Sequence, residues 1–521
     1  MSILKKENIS LDKRLNQEKN QIRLEGDIIV PDIKPDIQKV LETKHSSEII
    51  EVKIADSKVI YKGFLEVKVL YIANDKELYS MVHTLNIDDY FDLPYINENC
   101  KVFVDCIVSH IDFRVVNDRK LSYKAVLDVT SYGVEKRELN VVSDIEDNRQ
   151  ATVLKDDFVA SSSTFIKEEL LIHDEFKIKS TSGNIKEILQ VNISFLNKEA
   201  KIQNDKIHIY GDLLTKVLYK CEDDTTLVEQ IEQETHFSGV LDKAFEDDCI
   251  LNYKFKLVDT KGRVALDEDN EERLISIDAQ ILCELQVLEK TRLNLVKDAH
   301  LVNNKLHLET IKEPYLRIVS KNKNQYNLKE ILSLENISQP MLQIFSVNSY
   351  AILDEVYLQE DRTIVSGAIN LDVIYITKND SVPYETHRFT IPYEQTIETK
   401  NSRVHMFPYV DVSVENCMAM MISESDLEVK VNIMFNVEIT EENIIDIIEN
   451  ICFEEMCDDD IYGLPSIVIH TVEAGETLWS IAKEYNTTVD SIVKLNNLED
   501  PNILAIGQKL IICKKVLLPV A

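Results

Sequence analysis

The sequence predicts a multidomain chain: three related, mostly antiparallel β-domains of sandwich type, then a small α+β domain of βααβ order. Three observations predict it. A glycine-to-tyrosine, strand-like stretch occurs three times. Period-2 alternation of apolar and polar residues follows it in the copies. The last fifty residues change to a strand, two short helical stripes and a strand.

The repeat is explicit. Gly63-Phe-Leu-Glu-Val-Lys-Val-Leu-Tyr71 recurs as Gly211-Asp-Leu-Leu-Thr-Lys-Val-Leu-Tyr219 and as Gly367-Ala-Ile-Asn-Leu-Asp-Val-Ile-Tyr375. The interval is eight residues each time (71−63, 219−211, 375−367). A second landmark lies upstream: Asp36-Ile-Gln-Lys-Val-Leu41, Asn184-Ile-Lys-Glu-Ile-Leu189 and Asn327-Leu-Lys-Glu-Ile-Leu332. It precedes the glycine by 27 residues in the first two copies (63−36, 211−184) and by 40 in the third (367−327), which implies an insertion of 13. Repetition at this period marks a duplicated domain.

Each piece has a physical reading. The Asp or Asn can cap a short helical turn by accepting backbone N–H bonds. The glycine permits a tight turn or a bulge where a Cβ would clash. The β-branched, apolar run after it suits a strand. Later in copy three, Val410-Asp-Val-Ser-Val414 and Leu427-Glu-Val-Lys-Val-Asn-Ile433 alternate; in copy one, Val102-Phe-Val-Asp-Cys-Ile107 and Leu121-Ser-Tyr-Lys-Ala-Val-Leu127 do. Alternation means one packed and one wet face, hence two sheets face to face. The expected units are a polar N-terminal segment (1–20), repeats over 21–165, 166–310 and 311–453, an acidic linker (454–466) and a terminal domain (467–515).

Charge narrows the function. Of 521 residues, 91 are acidic and 58 basic, a net of −33, which argues against duplex DNA or anionic lipid as the main partner. Hydrophobic residues make up 44%, enough to bury cores. The N-terminus lacks the apolar core of a signal peptide, and no run of about eighteen apolar residues occurs, so no membrane insertion is expected. The nine cysteines are scattered without a Cys-x-x-Cys pair, which points to free thiols and no metal. There is no phosphate loop, no His-Glu-x-x-His and no Gly-x-Ser-x-Gly. The expectation is no catalytic residue, no cofactor and no enzyme, although a carboxylate pair could hide among so many acids.

Copy one opens with Val30-Pro-Asp-Ile-Lys-Pro-Asp-Ile37, where the prolines force an extended entry. That opening, the Gly-x7-Tyr strand and the repetition resemble the SPOCS domain over roughly residues 21 to 453. The family occurs in endospore-forming bacteria, often repeated and often followed by LysM. It implies a role in building the spore envelope and no catalytic residues.

The C-terminal module carries the other resemblance. Val468, His470 and Val472 alternate; Gly475 turns the chain; Thr477 can cap a helix whose stripe is Leu478, Ile481, Ala482 and Tyr485. Val489, Ile492, Val493 and Leu495 line a second helix, and Gly507-Gln-Lys-Leu-Ile-Ile512 is the last strand. In that order the residues resemble LysM, with Glu476 at the usual acidic position and Cys513 replacing the usual proline. The resemblance implies a groove for N-acetylglucosamine polymers. Carried over, its residues are Gly475, Glu476, Thr477, Leu478, Asn502, Ile503, Leu504, Ala505 and Ile506. Leu478 and some isoleucines are equally readable as core, and Trp479, the single tryptophan, as surface anchor or packing.

Together the resemblances imply an adaptor in the mother-cell cytoplasm. It would dock a spore-coat morphogenetic ATPase at the forespore surface, with the LysM as a binding module. The alternative is a cell-wall protein that binds peptidoglycan or a chitin-like glycan.

Overall fold

The computed structural model describes residues 3–514 apart from 95, 147–150, 180–181, 223–227, 247–248, 335–338, 380, 458–460, 462 and 464. The acidic run at 458–460 and the expected domain end at 515 therefore lie outside the described residues.

Repeat 1 comprises β1 (Ile3–Arg14), β2 (Glu18–Ile29), β3 (Ile37–Ala55), β4 (Lys58–Ala73), β5 (Leu78–Asp92), β6 (Cys100–Asn117) and β7 (Lys120–Glu146). Repeat 2 comprises β8 (Thr152–Lys177), β9 (Ile185–Gln203), β10 (Lys206–Cys221), β11 (Val228–Leu241), β12 (Ile250–Ala265) and β13 (Leu274–His300). Repeat 3 comprises β14 (Asn304–Ser333), β15 (Met341–Gln359), β16 (Arg362–Thr377), β17 (Tyr384–Glu398), β18 (Phe407–Met421) and β19 (Asp426–Glu455). The last module is β20 (Ile467–Thr471), α1 (Leu478–Glu484), α2 (Val489–Asn496) and β21 (Lys509–Cys513).

Every repeat is a sandwich of two antiparallel sheets. The inner sheet is a meander, β3-β4-β5 in repeat 1, with β9-β10-β11 and β15-β16-β17 as its counterparts. In the outer sheet one long strand (β7, β13 or β19) lies between the strand that opens the repeat and the strand that precedes it in sequence. Alternation along β4 buries Val59, Tyr61, Leu65, Val67, Val69 and Tyr71 against Leu121, Leu127 and Val129 of β7. In repeat 1 the opening strand is broken into β1 and β2, which both pair with β7. The segment expected to be a polar N-terminal extension is thus a sheet strand, and β8 and β14 run across the expected boundaries at 165/166 and 310/311.

Two local expectations are corrected. Asp36 and Asn184 do not cap helical turns; they precede β3 and β9, where β-branched residues enter the sheet. The third landmark, Asn327–Leu332, lies inside β14 and pairs with β19. One hydrogen bond identifies the true equivalent. Ile37 N donates to Asp118 O (2.7 Å), Ile185 N to Glu272 O (2.7 Å) and Met341 N to Glu424 O (2.9 Å). The residue before Met341 is Pro340, 27 residues ahead of Gly367 (367−340), so the inner sheet of the third copy has no insertion.

The repeated glycine is also not a turn residue. The turns are two-residue hairpins such as Asp56-Ser57 (φ 48° and 63°) and Asn204-Asp205 (φ 51° and 59°). The glycine sits mid-strand, opposite a bulge in the neighbouring strand. A Cβ on Gly63 would stand 2.1 Å from Glu48 O, and one on Gly367 2.1 Å from Ile352 O.

The repeats meet around a common axis. The C-terminal ends of the long strands, each still paired with the strand that opens its repeat, bring Val141, Leu295 and Ile447 into one core cluster. The next positions along, Val142, Val296 and Ile448 with Ile145, Ala299 and Ile451, form a second. Each trio is one position repeated at offsets of 154 and 152 (295−141, 447−295), so the packing is pseudo-threefold. At another junction Leu70, Leu218 and Ile374 are the equivalent trio. Beside it Glu42 is buried, bridged to Lys44 (3.4 Å) and accepting from Gln190 of repeat 2 (3.4 Å) and from Asn348 of repeat 3. Arg137 adds a two-pronged contact to Glu313 of repeat 3 (3.0 and 3.0 Å).

Replacing Gly63 with alanine is expected to destabilise the protein by about 1–3 kcal/mol, because backbone must move to admit the methyl. Gly463→Ala, where nothing lies within 4 Å, should be near neutral. Urea denaturation of the two variants checks this; equal midpoints would remove the role given to the bulge.

Candidate binding site

In the terminal module, Val472 O accepts from Gly507 N (2.8 Å), so the loop before α1 and the loop before β21 emerge at the same end of the two-stranded sheet. Gly475 (φ 88°) and Gly507 (φ 83°) supply the left-handed turns that let the chain leave it. Thr477 caps α1: its hydroxyl accepts from Ser480 N (3.1 Å), and Ser480 Oγ accepts from Thr477 N (3.0 Å). Thr488 caps α2 by accepting from Ser491 N (3.3 Å), and Asn497 ends it in the left-handed region.

The nine expected groove residues divide into three kinds. Leu478 is core, packed with Val472, Ile481 and Leu510, and Leu504 lies partly buried against the same cluster. Glu476 belongs to the loop's framework. Its carboxylate accepts from Glu473 N (2.7 Å) and from His470 Nε2 (2.8 Å), and these bonds, the backbone one foremost, hold it below the usual carboxylate range. The Ala505 N–H is likewise engaged, donating to Gln508 Oε1 (3.0 Å). Gly475, Thr477, Asn502, Ile503 and Ile506 are exposed, as is Ala505 apart from its engaged N–H, with the two isoleucines 71% and 76% exposed. Asn502 is steadied by Asp500 Oδ1, which accepts from both its N (2.8 Å) and its Nδ2 (3.1 Å). The result is an open shelf with an apolar lip.

Sequence reasoning missed the module's second face. Trp479 Nε1 donates to Asp298 Oδ2 (2.7 Å) and Lys483 Nζ to both oxygens of the same carboxylate (2.8 Å each). Asn303 N donates to Asn486 Oδ1 (2.8 Å), and Asn486 Nδ2 returns a bond to Asn303 Oδ1 (2.9 Å). His300 Nε2 donates to the carbonyl of buried Thr487 (3.0 Å). The module is thereby anchored on the end of β13 and the turn that leads into β14, beside the pseudo-threefold axis. A cleft of about 320 Å³ remains between them, lined by Ala299, Asn304, Leu306, Met456 and Glu484 among others. The signal available in the sequence was Trp479 itself, a large aromatic off the apolar stripe of α1.

Electrostatics couples this anchor to pH. Burial would raise Asp298, but the bonds from Lys483 and Trp479 outweigh it and hold the carboxyl below its ordinary value. Burial pushes His300 down, so its ring is kept neutral. Both folded-state values are depressed, so the anchor is complete above the ordinary values and is lost as pH falls, His300 first.

A family model for the LysM domain matches residues 470–512. A model described as "SipL, SPOCS domain" matches residues 36–116, 184–262 and 340–422. Each SPOCS match covers the inner sheet and the strand after it; the long strands that make the three-way junction lie outside it. Among curated proteins, the chain is 59% identical over 39 residues to a probable autolysin, SsaALP, of Staphylococcus aureus, 8% of this chain and 14% of that protein. It is 48% identical over 44 residues to intracellular hyphae protein 1 of Colletotrichum lindemuthianum, 8% of this chain and 19% of that one. The chain thus covers less than a fifth of either relative. No solved structure matches.

The single tryptophan reports on the anchor. Its fluorescence is expected to shift as pH falls below the ordinary histidine range and His300 takes up a proton, and His300→Gln should abolish that step. Asp298→Ala should free the tryptophan at neutral pH and weaken docking by about 1–2 kcal/mol, a value held down by the solvent around Lys483.

Proposed function

From the premise that this chain is a SPOCS-repeat plus LysM protein, similar in arrangement to SipL, we propose that it is a non-enzymatic sporulation adaptor. It docks a spore-coat morphogenetic ATPase at the forespore surface on the mother-cell side, with the LysM as a binding module. The observation that carries this reading is the domain content: three SPOCS domains and one LysM, both non-catalytic families, in one chain. The anchoring of the module on the repeats supports it, because an adaptor needs its binding face held in a fixed relation to its body. No helix among the described residues is long and apolar enough to cross a membrane.

The exposed lip of Ile503 and Ile506 serves either a protein surface or the methyl groups of N-acetylated sugars. That lip favours one second reading, a protein that binds peptidoglycan or a chitin-like glycan.

The full chain and an Ile503→Asp, Ile506→Asp variant separate the two. Both side chains are exposed, so the variant is expected to fold. The adaptor reading expects the purified coat ATPase to bind the wild type and to bind the variant about tenfold more weakly or worse, with no retention on peptidoglycan. Retention on peptidoglycan without ATPase binding would replace the adaptor with a wall-binding protein.

A further inference from the structure

Strand pairing fixes which positions are equivalent, so each repeat is an internal control for the others. At the junction of the inner sheets, Glu42 pairs with Leu70, Gln190 with Leu218 and Ser346 with Ile374. One position is thus a carboxylate in repeat 1, an amide in repeat 2 and a hydroxyl in repeat 3. Glutamate and glutamine have the same length and shape, whereas serine stops at its hydroxyl. Beside these three residues lies a cavity with about 10 Å³ of room for the centre of a water molecule. Glu42, Gln190 and Ser346 all line it, and Asn192, Lys216 and Gln230 add further polar groups.

Size and chemistry select the occupant. By the same measure one water needs about 10–15 Å³, so the space takes a single water and nothing larger. A water also needs about two to four polar partners, and these side chains supply them. The buried Glu42 carboxylate is short of a close donor on one side. Its Oε2 meets Gln190 Nε2 and Lys44 Nζ at 3.4 Å each, longer than a charge-assisted bond of about 2.7–2.9 Å. A water O–H would supply that donor. A cation would not suit the site, because the charges around it are already matched. Lys44 faces Glu42, and in the next row Lys68, Lys216 and Asp372 are bridged by Glu66 (3.2 Å), Glu232 (2.8 Å) and Arg388 (2.6 Å).

We propose that this cavity is a binding site for one ordered water, which donates to the Glu42 carboxylate and bonds to Gln190 and Ser346. It stands where the end of a longer side chain would lie in repeat 3, and it ties the three repeats together through a single molecule. The site belongs to the three-repeat body, so it is independent of the adaptor reading and of what the shelf binds.

The test is a crystal structure of the full chain, grown in rubidium chloride and refined to a resolution that shows ordered waters, beside those of Ser346→Gln and Glu42→Gln. Ser346→Gln introduces the residue that repeat 2 holds in the same register. Glu42→Gln keeps the shape and removes the charge. The expected result is one density peak in the wild type, within about 2.5–3.2 Å of Glu42, Gln190 and Ser346 and without the anomalous signal of rubidium. The peak should persist in Glu42→Gln, since an amide still bonds a water, and be gone from Ser346→Gln, whose side chain fills the space. Should Ser346→Gln fail to fold, the wild type and Glu42→Gln decide the question. No peak in the wild type, an anomalous peak or contacts too short for hydrogen bonds (the marks of a cation), loss of the peak in Glu42→Gln, or its survival in Ser346→Gln would each overturn the proposal.

Discussion

Everything in this molecule hangs on three long strands that outgrow their own sandwiches. β7, β13 and β19 run on past the third strand of their sheets, paired there only with β1, β8 and β14, and their ends would expose two rows of valine, leucine and isoleucine if left alone. Those rows are buried by each other: Val141 with Leu295 and Ile447, Val142 with Val296 and Ile448. Truncating one such side chain to alanine costs about 2–5 kcal/mol in a packed core, and here each cost falls on all three repeats at once. The junction therefore turns tandem domains into one body.

A core shared by three equivalent units needs something to order it, since apolar contact is non-directional. The polar groups at the junctions are not equivalent between repeats. Glu42 stands where repeat 2 has Gln190, and Arg137 of repeat 1 meets Glu313 of repeat 3. A buried carboxylate with specified partners tolerates few alternative arrangements. Such groups distinguish the repeats that their shared fold makes alike.

How much of this was legible in the sequence followed from how local each signal is. The terminal module's βααβ order was legible because caps and helical stripes are set within a turn or two: Thr477 caps α1, and Leu478, Ile481 and Ala482 are its buried stripe. The sandwich class followed from alternation, which needs only a strand and its two faces. The third copy was misread because Asn327–Leu332 resembles Asn184–Leu189 in letters, whereas equivalence is decided by pairing, and Met341 is what occupies the place of Ile37. The expected helical turns failed for a related reason: Ile37 and Ile185 gain a sheet partner distant in sequence, and local capping cannot compete with it. In the expected groove, spacing did not show that the Glu476 carboxylate is committed to Glu473 and His470. Trp479 was legible as an anchor or packing residue, but its partner was not, because nothing near Asp298 in the sequence announces a tryptophan 181 residues away.

That anchor has a geometric consequence. A module on a loose tether would let its body point anywhere once the shelf was occupied. Held at Asp298, Asn303 and His300, the shelf and the three-repeat body share one frame. A surface decorated through the shelf would carry these molecules at one common tilt, as a pavement of aligned tiles rather than a brush.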